Sequence, residues 1–246
     1  MSEQSPGANE HAARSKAALL AELAAVLFLL TAPTIASLGS AAVTGNENEE
    51  SAVSRRHAKT EAADFAAAEF RSAILRLRYL PILLFVMWRS GEGWARFGLV
   101  KPRIGKDLLI GVGLWAVVAT VDALIALAFH RHDAAHGLYA LATPWARAVP
   151  LALHSCVVAL VEETSMRGYL IPRFESLTRS TWLSLALSVA VFAFVHVYKT
   201  NVGILHSAAA AAIWGLGFCL TRRIWPLVLS HALVDFIVGT HIGVPG

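Results

Sequence analysis

Three groups of ionisable residues sit inside apolar stretches of this 246-residue chain, each with a fixed internal spacing. The first is Glu162-Glu163-x-x-x-Arg167, the second Phe192-x-x-x-His196 and the third His231-x-x-x-Asp235. Carboxylates and imidazoles are costly to bury in lipid, so they normally face a polar interior and have a partner or a task. Two glutamates, two histidines, an arginine and an aspartate on three helices are enough to activate a water molecule. That is the chemistry of a hydrolase set within a membrane.

Helical geometry gives the two glutamates different surroundings. Glu163 and Arg167 are four residues apart and meet on one face, which predicts a buried ion pair. Glu162 is turned by about 100° from Glu163 and is left free to act. A carboxylate in an apolar cavity suits a general base that can return its proton as an acid. His231 and Asp235 also share a face, so the aspartate can fix the tautomer and orientation of the imidazole. Phe192 lies one turn before His196. Each element also has a plain structural reading: charge-compensated helix glue for the glutamates, an interface residue for His196, and an interhelical pair for His231–Asp235.

The elements that must position these groups are membrane helices. The chain is 56% hydrophobic and only 15% charged, its mean hydropathy is +0.57, and its net charge is +4. Soluble proteins carry roughly 25% charged residues. The basic residues lie between apolar blocks, with no dense basic patch interleaved with aromatics, so nucleic-acid binding is set aside. Residues 1–16 read as a disordered tail and 17–43 as a first membrane helix, too long for a signal peptide and containing Glu22 and Pro33. Residues 44–107 read as a polar loop with an amphipathic helix near Glu61–Leu77 and a short apolar segment, Tyr79–Trp88. The short segment spans only if the preceding turns join it.

Residues 108–242 form the core that carries the chemistry. Its apolar blocks are Leu108–His130, Val149–Ile171 ending at Pro172, Leu183–Tyr198, Gly203–Leu220 and Ile224–Ile242. The runs are continuous and do not alternate, which predicts an all-α, polytopic transmembrane helix bundle of about seven spans and excludes a barrel. Basic residues concentrate in loops 89–107, 172–181 and 221–223, which the positive-inside rule places in the cytoplasm. A water-filled cavity opening toward that side, lined by Glu162, His196 and His231, would supply the water that cleavage consumes.

The remaining polar residues are less informative. Asp122, His154, His206 and Glu22 each stand alone in an apolar block and read as interhelical hydrogen-bond partners. His130, His132 and His136 near Asp133 read as a solvated loop. Cys156 and Cys219 lack any metal spacing and read as small buried hydrophobes. No Gly-rich phosphate loop, G-x-S-x-G elbow or H-E-x-x-H motif is present.

The three motifs, in this order, resemble the CAAX protease and bacteriocin-processing (CPBP) family of intramembrane endopeptidases, which includes the type II CAAX prenyl endopeptidases. The resemblance covers about residues 108–242, and Gly168-Tyr169-Leu170 looks like the family's continuation of its first motif. It implies a glutamate protease in which Glu162 and His196 activate water and His231 with Asp235 serves the oxyanion site. Glu163 and Arg167 support the site. The third motif often ends in Asn, whereas an ionised Asp235 cannot donate a hydrogen bond, so orienting His231 is its safer role. No cofactor is expected. The alternative is a zinc site using His196, His231 and a glutamate, with an open position for water. The implied partners are a membrane-anchored or hydrophobic peptide and the bilayer, in an integral multi-pass protein of the cell (inner) membrane if bacterial. CAAX tails, leader peptides and C-terminal sorting anchors all remain open as substrates. The competing class is a non-proteolytic scaffold or immunity protein of the same family.

Overall fold

The computed structural model describes residues 6–44, 62–129, 145–199 and 201–240, which contain helices and turns and no strand. The helices are α1 (Pro6–Thr44), α2 (Ala62–Leu77), α3 (Tyr79–Arg89), α4 (Ile104–Ala128), α5 (Trp145–Glu163), α6 (Ile171–Thr178), α7 (Thr181–Val195), α8 (Asn201–Thr221) and α9 (Trp225–Gly239). Four stretches are long and apolar enough to cross a membrane: Lys16–Gly39, Ile104–Ala128, Trp145–Thr178 and Asn201–Thr221. α7 and α9 are shorter apolar helices. The fold is the all-α polytopic bundle expected.

Two boundaries differ from the sequence reading. α1 starts at Pro6 and continues into its membrane-length apolar stretch, Lys16–Gly39. Ala12, Ala13, Arg14 and Lys16 are good helix formers, which favours that continuation. Residues 1–5, most of the loop before α2, and the histidine-rich loop of His130, His132, Asp133 and His136 lie outside the described residues. The short segment Tyr79–Trp88 is joined to α2, because only Arg78 separates α2 from α3 and it keeps helical angles (φ −56°, ψ −24°).

The second difference is in the central element. The sequence reading ends this helix at Pro172, but α5 runs through a π-helical segment, Thr164–Leu170, directly into α6. Thr164, Ser165 and Gly168 are weak helix formers. Ser165 Oγ donates to the Val161 carbonyl (2.6 Å) and Ser188 Oγ on α7 donates to the Met166 carbonyl (2.8 Å), both of which loosen the regular ladder. Pro172 sits in the first turn of α6, where a missing N–H is tolerated. All seven π residues are buried. Such wide turns recur at functional sites.

Around this axis, α2 and α9 lie along α5, α9 also packs on α4, and α8 packs on α7 and α4. The core is built from Leu83, Met87, Phe97, Tyr169, Leu170, Phe218, Ile224 and Leu227, among others. The basic loops gather at one end. There Arg222 makes a two-pronged bond to Glu175 (2.8 and 2.6 Å), Arg96 donates to Ser176 (2.8 Å), and Arg223 clamps Asp107 (2.7 and 2.8 Å). Arg173 on α6 bonds Glu22 of α1 at 2.9 Å and also pairs with Glu92. The loop between α3 and α4 folds back into this end: Phe97 is fully buried, and Gly98 adopts φ 72°. A Cβ at Gly98 would stand 2.6 Å from the Phe218 ring, so only glycine fits. The Gly98 carbonyl accepts from Ile224 N (3.2 Å) and the Val100 carbonyl from Trp225 Nε1 (2.6 Å), which seats the start of α9 below the surface of the bundle.

Candidate active site

That sunken start of α9 explains how three helices of unequal length bring their chemistry together. Glu162 lies about 24 Å along the helix from Thr178, and His196 about 22 Å from Thr181, at a rise of 1.5 Å per residue. His231 is only about 9 Å from Trp225 by the same measure. The loop of Gly98 and Val100 packs against the first residues of α9, Ile224 and Trp225.

At the centre is a buried ion pair, Arg167 Nη1 to Glu163 Oε1 at 3.0 Å, as the four-residue spacing requires. Arg167 is further fixed by a bond from Nη2 to the Ala211 carbonyl (3.0 Å) and by stacking over Phe192 (4.8 Å) and Trp214 (5.5 Å). Glu163 Oε1 also accepts from His231 Nδ1 at 2.7 Å. Trp214 stacks on the His231 ring at 4.2 Å and donates its Nε1 to Ser230 (2.9 Å). His231 is thus clamped from one nitrogen and one face.

Two expectations are corrected by this arrangement. The Nδ1 partner of His231 is Glu163, while Asp235 Oδ2 lies 3.5 Å from Nε2. The spacing of His231 and Asp235 put them on one face, but the buried glutamate on α5 is nearer and better aligned. Nor does Glu162 stand alone. Its Oε1 accepts from Arg76 Nη1 on α2 at 2.7 Å, and its Oε2 faces His231 Nε2 at 3.9 Å. Sequence reasoning missed Arg76 altogether. A signal was present: Glu69, Ser72 and Arg76 fall at i, i+3 and i+7, one stripe of α2. That stripe meets α5, with Glu69 and Ser72 on His154 and Arg76 on Glu162.

His196 caps the C-terminus of α7, with Nδ1 2.8 Å from the Phe192 carbonyl, so Nδ1–H donates and Nε2 is left to accept. Phe192 lies between the two imidazoles, 4.4 Å from His196 and 6.2 Å from His231 by ring centroids. Asp122 and His206 pair with each other at 2.7 Å across α4 and α8, and Glu22 bonds Tyr169 and Arg173, so these isolated polar residues hold helices together. Cys156 is exposed and Cys219 only half-buried, contrary to the core reading. In a membrane bundle the apolar face of a helix can point outward to lipid.

Met166, Leu170, Phe218 and Leu227, toward the basic end, are all buried. The site's uncovered side chains are Arg76 (45% exposed) and Asp235 (34%). Both lie on the side away from that end. Among the described residues no three His, Cys, Asp or Glu side chains are arranged to hold a metal ion.

Residues 143–237 match the model of the family described as Rce1-like, type II CAAX prenyl endopeptidase Rce1-like. The matched segment contains Glu162, Glu163, Arg167, His196, His231 and Asp235, all six residues singled out from the sequence. Arg76 lies outside the matched residues, on α2. No curated protein and no solved structure matches the chain.

Proposed function

We propose that this integral membrane protein is an endopeptidase that cuts a peptide bond near a membrane anchor, using a water activated by Glu162 and His196. The observation that carries this reading is the split engagement of the Glu162 carboxylate: Oε1 is held by Arg76 and Oε2 is turned toward His231 Nε2, 3.9 Å away. That gap exceeds a hydrogen bond, and a water bonded to both groups would sit beside it. Glu162 Oε2 takes the proton of the attacking water, and the hydroxyl forms the new bond to the scissile carbonyl carbon. His196 Nε2, left as an acceptor by the Nδ1 bond to Phe192, shares the task of orienting that water. The proton on Glu162 then passes to the leaving amine as the C–N bond breaks.

His231 serves the developing oxyanion from Nε2 when the ring carries both protons, its Nδ1–H being held by Glu163. Asp235 faces that same nitrogen and acts by orientation. Glu163 and Arg167 form the support beneath. The mechanism runs on protein groups, the alternative being a zinc ion held by His196, His231 and a glutamate. The positive-inside rule assigns the basic end to the cytoplasm.

The test is cleavage by the purified full chain in detergent or vesicles, read by mass spectrometry on three fluorogenic peptides: a prenylated CAAX tail, a leader peptide and a sorting anchor. Cleavage of one of them supports the reading. Peptide binding without cleavage of any would favour the scaffold class.

A further inference from the structure

Away from the site, a cavity of about 740 Å³ opens at the basic end between the Lys16–Glu22 stretch of α1, the end of α3 and the end of α6. Its lining carries four cations, Lys16, Arg89, Arg173 and Arg179, against two carboxylates, Glu22 and Glu92. The carboxylates are already engaged. Glu22 Oε1 accepts from Arg173 Nε and from Tyr169, and Glu92 pairs with Arg173 and Arg96. Among the described residues, Lys16, Arg89 and Arg179 make no side-chain ion pair, and all three are exposed. Arg173 is 1% exposed, and its Nη2 is buried with no hydrogen-bond partner. A buried guanidinium donor with no acceptor in the chain is free to take one from a water or a bound ligand.

The position narrows the acceptor's chemistry. Lys16 opens the membrane-crossing stretch of α1, and Arg89 and Arg179 end α3 and follow α6, so the cavity lies at the boundary between apolar bundle and water. Ala18, Leu19 and Leu177 line it beside the cations, which offers an apolar edge next to a basic floor. Guanidinium and ammonium groups converging between helix ends at this depth suit a phosphate with an attached hydrocarbon. We propose that this cavity binds the phosphate of an anionic phospholipid and thereby ties α1 to the α3 and α6 ends of the bundle. The cations at the rim attract the headgroup, and the free Nη2 of Arg173 supplies the buried donor.

The experiment uses the full chain in mild detergent, with bound lipid counted by native mass spectrometry and thermal melting followed in parallel. Phosphatidylglycerol, phosphatidylcholine and inorganic phosphate are added separately at matched concentrations. The proposal expects phosphatidylglycerol to be retained and to raise the melting temperature, with phosphatidylcholine binding at least about tenfold weaker. The Lys16→Gln/Arg89→Gln variant is expected to lose about tenfold or more of the phosphatidylglycerol affinity. Should that variant fail to purify as a folded species, Arg179→Gln alone is read in the same way. Equal binding of the two lipids, or undiminished phosphatidylglycerol binding in the folded variant, overturns the site. Equal stabilisation by inorganic phosphate overturns the lipid and leaves a free-anion pocket.

Discussion

His231 is held by Glu163: the imidazole Nδ1 lies 2.7 Å from the same carboxylate oxygen that accepts from Arg167 at 3.0 Å. One buried oxygen therefore couples α5, the π segment and α9. The residue adjacent to the proposed base is the support of the proposed oxyanion group.

Removing one partner of a fully buried ion pair leaves an unmatched charge. Arg167→Ala, which leaves the buried Glu163 with His231 as its remaining partner, is expected to destabilise the protein by about 3–5 kcal/mol. Thermal melting in detergent checks this, and activity should fall with the folded fraction.

Asp235 and His231 are expected to differ sharply when substituted. Asp235 sits 3.5 Å from Nε2 and is a third exposed, so Asp235→Asn should stay within about tenfold of the parent cleavage rate. His231→Ala should lose about 10²–10³-fold, the scale of a removed oxyanion donor. Equal losses in the two variants, at equal stability, would mean that Asp235 takes part directly.

Arg76 reaches the site from a helix outside the family segment. Because the side chain is 45% exposed, Arg76→Ala should change stability by only about 0–1 kcal/mol. It should lower kcat by about tenfold, because Glu162 loses the contact that aims its second oxygen. Arg76→Lys should recover part of the loss. Steady-state kcat and KM, measured separately, test this.

Chelation tests the choice of protein groups over a metal. Cleavage is expected to survive dialysis against a strong chelator, and added zinc should not raise it. A rate lost to the chelator and restored by zinc, with one metal per chain, would replace the mechanism.

Much of the fold was legible because its rules are local. Apolar run lengths located the helices, the i to i+4 spacing paired Glu163 with Arg167, and basic loops gathered at one end. What was illegible depends on tertiary detail. The π segment follows from Ser165 and Ser188 bonding specific carbonyls, which no apolar pattern records. The sunken start of α9 depends on Phe97 and Gly98 entering the bundle from a loop that reads as merely basic. Cys156 was misread because burial among apolar residues and exposure to lipid look alike in sequence. Glu162 looked solitary because its partner lies 86 positions away on a helix that seemed only amphipathic.

The most direct test is the rate of peptide cleavage by Glu162→Gln. This substitution keeps the size of the side chain and can still bond Arg76, so melting should stay close to that of the parent protein. The account predicts a loss of about 10²–10⁴-fold in kcat, the contribution of a positioned general base. A folded Glu162→Gln protein that cleaves at the parent rate would contradict it.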